Sequence, residues 1–115
     1  NPLSCAAALA SVTTIVDSGL DTRATELGDR IKAGFKQALA DCGHVKEIRG
    51  MGCMIGIELN RPCKSLFKTA MDAGLIINVT ADSVIRLLPP MIMSDCEADQ
   101  LVAILAPLIK DFEQD

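Results

Sequence analysis

The sequence predicts an α/β (α+β) sandwich of two layers, helices packed on a small sheet. Three observations carry that expectation. Leu27, Ile31, Phe35 and Leu39 recur every four residues, which gives one apolar stripe along a helix. From Met51 to Leu59 the period changes to two: Met51, Cys53, Ile55, Ile57 and Leu59 alternate with Gly52, Met54, Gly56 and Glu58, as on a strand. Near the end, Ser94 and Glu97 form a capping box. It precedes Leu101, Val102, Leu105, Leu108, Ile109 and Phe112 at helical spacing. With 115 residues, half of them hydrophobic and 23% charged, the chain can bury one core.

Taken in order, Asn1 is a good N-cap and Pro2 a good first helical residue, because its missing N–H would be unpaired anyway. That helix should reach Asp17 and stop at Gly19, which accepts the left-handed conformation. A second helix begins near Asp21 or Thr22 and closes at Gly43. Val45 to Arg49 is a short strand, and Gly50-Met51-Gly52 a turn into the alternating strand. The glycines on that strand suggest close packing on their face. Pro62 opens a third helix with Leu66, Phe67, Ala70 and Met71 on its buried side, ended by Gly74. Leu75 to Val79 reads as a buried strand, Thr80 to Ser83 as a turn, and Val84 to Leu88 as the returning strand. Pro89-Pro90 breaks it. Pro107 should kink or split the last helix.

Composition excludes several functions. A net charge of −4 gives no electrostatic support for nucleic-acid binding. The aromatics, Phe35, Phe67 and Phe112, all fall on helical patterns where core packing is expected. Cys5, Cys42, Cys53, Cys63 and Cys96 are odd in number with no C-x-x-C pair, which points to reduced thiols in a cytoplasmic protein and to no metal site. The apolar stretch from Pro2 to Val16 is too short to span a membrane. A chain that opens at Asn-Pro, already at a helix start, is expected to be a piece of something longer.

No complete active site assembles from the motifs. There is no phosphate loop and no H-E-x-x-H, and His44 alone cannot complete a nucleophile–base pair. His44 reads as a histidine beside a helix C-terminus, where a cation is favoured. Met51, Met54, Met71, Met91 and Met93 read as core filler. Arg23, Glu26, Asp29, Arg30, Lys32 and Lys36 read as a solvated helix face, and Arg49-Gly-Met-Gly52 as a tight turn. Arg86 stands apart. It sits mid-strand in Val84-Ile-Arg-Leu-Leu88 and shares a face with Val84 and Leu88. Either it reaches water or a structural carboxylate, or its planar fork clamps a ligand carboxylate.

Three stretches together resemble one family, the class-III aminotransferases. Asn1-Pro-Leu-Ser-Cys-Ala-Ala-Ala-Leu-Ala10 is similar to the segment after that family's Gly-Gly pair. Ile48 to Leu59, reading IRGMGCMIGIEL, resembles its small-domain strand pair. Gly74 to Pro90, reading GLIINVTADSVIRLLPP, is the most specific, and its Ile-Asn-Val-Thr wording looks most like the acetylornithine branch. The match covers essentially the whole chain in order. Cys53 and Cys63 depart from the family pattern, as does Pro107.

The resemblance implies a fold-type-I enzyme dependent on pyridoxal 5′-phosphate, with residues 1–18 a helix leading out of the large domain and 19–115 the C-terminal small domain. It implies transfer of an amino group from N-acetylornithine to 2-oxoglutarate in arginine biosynthesis, by a cytoplasmic homodimer. Ornithine, succinylornithine or 4-aminobutyrate transamination is the alternative within the family, and a stand-alone amino-acid-binding module the alternative outside it. Lys32, Lys36, Lys46, Lys64, Lys68 and Lys110 lie in none of the family's Schiff-base context. The catalytic lysine and the cofactor contacts are therefore expected upstream, and the chain alone is expected to be inactive. Arg86 matches the family's arginine for the substrate α-carboxylate.

Overall fold

The structure is a computed structural model that describes residues 1–112. Four helices and four strands follow in the order α1 (Pro2–Asp17), α2 (Leu20–Ala38), β1 (Val45–Met51), β2 (Met54–Leu59), α3 (Leu66–Asp72), β3 (Asn78–Thr80), β4 (Val84–Leu87) and α4 (Asp95–Lys110). The strands form one antiparallel sheet in the order β1-β2-β4-β3. Helices cover one face of it, as the two-layer reading expects.

The period-two pattern sets which face is covered. Ile55, Ile57 and Leu59 of β2 and Ile85 and Leu87 of β4 are buried. They meet the α2 stripe of Leu27, Ile31, Phe35 and Leu39 and the α4 stripe of Leu101, Leu105 and Ile109. Gly28 sits so close to the Gly52 carbonyl that a β-carbon there would collide with it. That contact lets α2 lie directly on the β1–β2 turn. α1 differs from the rest. It has no buried residue and meets α2 at a bend of 68°.

Both ends of the long helices follow their local chemistry. Asn1 accepts from the N–H groups of Leu3 and Ser4, and Gly19 takes φ 59° between α1 and α2. The capping box is complete, with Ser94 Oγ accepting from Glu97 N and the Glu97 carboxylate accepting from Ser94 N at 2.8 Å. Among the described residues no single helix is long and apolar enough to cross a membrane.

Several expectations need correction. α2 ends at Ala38, not Gly43, because Cys42 N donates to the Leu39 carbonyl and turns the chain early. Met51 belongs to β1 and is 88% exposed, so the alternation begins at Cys53. Pro62 opens only a tight turn, in which Leu66 N and Phe67 N donate to the carbonyls three residues back, and α3 starts at Leu66. Its buried side is Leu66 and Ala70; Phe67 and Met71 are exposed, and so is Met54. Residues 75–77 are not strand. Leu75 N is engaged by the Ala70 carbonyl in closing α3, and Ile76 faces out. β4 stops at Leu87, as the prolines that follow have no N–H to continue a ladder. Pro107 does not split α4, which runs as one helix from Asp95 to Lys110. The proline lies on the exposed side three residues from the end, where one lost bond is tolerated.

Candidate functional site

The uncovered face of the sheet lines up residues from all four strands in one row. The register sets Arg49 of β1 opposite Gly56 of β2, Gly56 opposite Arg86 of β4, and Arg86 opposite Asn78 of β3. One row therefore reads Arg49, Gly56, Arg86, Asn78. Period two places Glu47 and Glu58 on the same face.

The charges in this row are not equivalent. Arg49 Nη1 donates to Glu47 and Glu58, each at 2.6 Å, and Lys46 Nζ donates to Glu58 at 2.7 Å. The hydrogen bonds from Lys46 and Arg49 hold the Glu58 carboxyl below its ordinary range, and those to Glu58 and Glu47 raise the Arg49 guanidinium. Arg49 is thus neutralised locally.

Arg86 is not. Of the five arginines, Arg23 reaches Asp95 at 2.7 Å, Arg30 reaches Asp99 at 2.7 Å, and Arg61 donates to His44 Nδ1 at 2.6 Å. Arg86 alone has no hydrogen-bond or ion-pair partner among the described residues, although it stands on an inner strand. The structural-carboxylate reading of this residue finds no carboxylate.

Beside Arg86 the surface dips into a depression of about 340 Å³, lined by Asn78, Ile76, Leu88, Pro89 and Pro90 among others. A free planar fork at the edge of an apolar hollow suits a ligand with a carboxylate at one end, because partial exclusion of water strengthens a bidentate pair. The prolines that end β4 also turn the chain to form one wall. Arg86 was evident from its place in an apolar strand. Asn78 and Gly56 were not singled out as site residues, and only the pairing register brings them beside it.

Other residues fall elsewhere. His44 Nδ1 lies 2.6 Å from Arg61 Nη2 and is paired with that side chain, away from the depression. Arg23 and Arg30 are not merely solvated; they clasp Asp95 and Asp99 of α4. None of the six lysines lines the depression. Lys46 and Lys64 are held by Glu58 and Asp82, and Lys32 by Asp29. The described residues therefore fit a carboxylate but do not by themselves fit pyridoxal phosphate, which needs a lysine for its aldehyde.

Comparison with known proteins gives the wider frame. A family model described as aminotransferase class-III matches residues 1–109. Acetylornithine aminotransferase 1 of Bordetella pertussis is 53% identical over 111 residues, which cover 96% of this chain and 28% of that protein. Ornithine aminotransferase 2 of Staphylococcus aureus is 42% identical over 99 residues, covering 86% of this chain and 24% of that one. The crystal structure of acetylornithine aminotransferase from Elizabethkingia anophelis superimposes with a TM-score of 0.89 at 26% identity, over 97% of this chain and 29% of that one. The chain thus spans about a quarter of the length of these relatives.

Proposed function

Since the chain belongs to the class-III aminotransferase family, we propose that it is the C-terminal domain of an enzyme that transfers the amino group of N-acetylornithine to 2-oxoglutarate. The observation that carries the reading is Arg86, the unpartnered guanidinium at the mouth of an apolar depression. In this reading Arg86 holds the α-carboxylate common to both substrates and orients each for reaction.

Residues 19–115 form the small domain, and residues 1–18 the helix that leads to it. Every buried hydrophobic residue lies between Leu27 and Phe112, which supports that division; residues 113–115 lie outside the described ones. Pyridoxal 5′-phosphate supplies the amino-transfer chemistry in this family, and its lysine and phosphate contacts belong to the rest of the enzyme, a cytoplasmic homodimer. The similarity to Staphylococcus aureus ornithine aminotransferase 2 favours a second reading in which the donor is ornithine itself. Arg86 has the same role in both.

The test is Arg86→Lys in the full-length enzyme. A lysine keeps the charge but loses the fork, so kcat/KM should fall on the order of a hundredfold for amino donor and 2-oxoglutarate alike. Cofactor affinity should hold. Near-normal kcat/KM for both substrates would make Arg86 a structural residue and end this assignment.

A further inference from the structure

Gly56 lies directly between Arg49 and Arg86 on the open sheet face. A glycine inside a strand weakens it, so its presence calls for a reason. The usual reasons fail here. Gly56 is not among the residues with positive φ, unlike Gly50 of β1 and Gly52 of the β1–β2 turn. A β-carbon at position 56 would meet Val84 Cγ1 at 3.6 Å and Arg49 Cγ at 3.9 Å, both ordinary contacts. No atom of Arg86 lies within 4 Å of it. Backbone and packing within this domain would accept alanine.

What the missing side chain does leave is clear floor beside Arg86. We propose that Gly56 is a positioning residue that keeps the flank of Arg86 open, so that a substrate carboxylate can lie flat against the guanidinium fork. Arg49 cannot close the gap, because Glu47 and Glu58 hold its guanidinium. Asn78, on the other side of Arg86, is exposed and lines the depression with it. A methyl group on the floor would narrow the approach, and a branched side chain would obstruct it. This inference rests on the carboxylate reading of Arg86 and names what that site needs in order to accept its ligand.

The experiment compares Gly56→Ala, Gly56→Val and Arg86→Lys, singly and with Gly56→Val combined with Arg86→Lys, in the full-length holoenzyme. The readouts are KM and kcat for both substrates, thermal midpoint, and protection by glutarate, a dicarboxylate with no group to transaminate. Gly56→Ala should raise KM for both substrates about threefold and Gly56→Val at least tenfold, with kcat nearly kept. Midpoints should be unchanged or higher, since alanine and valine suit a strand better than glycine. Glutarate protection should weaken in the same order. In the double variant the loss should be smaller than the product of the single losses, because both act on one contact.

Normal KM values and glutarate protection in Gly56→Val, with Arg86→Lys impaired, would overturn this proposal and leave the role of Arg86 standing. A normal Arg86→Lys enzyme would remove both. If Gly56→Ala lowers the midpoint sharply or fails to fold, the glycine is structural and the proposal is wrong. Should only the valine variant fail to fold, the alanine series decides.

Discussion

Cys53 and Cys63 are buried, while Cys5 and Cys96 lie open to solvent and Cys42 is half-buried. Burial pushes the Cys63 thiol up, and the Cys53 thiol too, against a smaller opposing pull from Arg23. A higher pKa leaves less thiolate, and thiolate is the reactive form. Native protein at neutral pH should therefore label rapidly at Cys5 and Cys96, more slowly at Cys42, and at Cys53 and Cys63 only after unfolding. Mass spectrometry of alkylated peptides over time gives the order, and early label on Cys63 would contradict the packing. Residue by residue, the site was only partly readable from the sequence. Arg86 was visible because a charge in an apolar strand conflicts with its neighbours. Asn78 and Gly56 carry no such conflict; they matter through a register that no local pattern states.

α2 and α4 are held together by more than their apolar stripes. Arg23 and Arg30 of α2 reach Asp95, and Arg30 reaches Asp99, next to the capping box that opens α4. The hydrogen bond from Arg30 holds the Asp99 carboxyl below its usual range, and bonds to Ser94 do the same for Glu97. Carboxyls lowered in the folded state contribute stability that is present above their unfolded values and is lost as pH falls through the folded ones. Stability should hold at neutral pH and decline below the ordinary carboxylate range. Asp99→Asn should flatten that decline, as followed by urea midpoints in an acid series. Ser94→Ala, which removes the cap, should cost about 1 kcal/mol at neutral pH. Long helices were legible because stripe and cap agree over many residues. α3 and β3 were not. Their bounds depend on which partner takes a given N–H: the Ala70 carbonyl takes that of Leu75, and Asp82 takes that of Cys63. Ala81 and Asp82, both at positive φ, form the turn that supplies the second of these, and neither is a glycine.

At the scale of the whole molecule, α1 is the feature that does not close on itself. The chain measures 49 × 29 × 23 Å. Its first helix presents Leu3, Leu9, Val12 and Val16 at 59–79% exposure. Leu9, Val12 and Val16 share one side of α1 and Leu3 lies on another, and no residue of the helix is buried, whereas α2 to α4 complete a core without its help. Two consequences follow from that separation. Apolar surface of this extent drives association in water, so the isolated chain should self-associate as its concentration rises from micromolar to millimolar. Changing that surface should leave the core alone. Leu9→Glu combined with Val12→Glu should shift sedimentation toward the monomer while the thermal midpoint of the dilute protein stays within a degree or two. If the unaltered chain is a monomer throughout the range, with the amides of α1 slow to exchange, then α1 folds back onto the domain and the extended arrangement is wrong. If the double variant instead melts early, α1 contributes to the core and the separation fails.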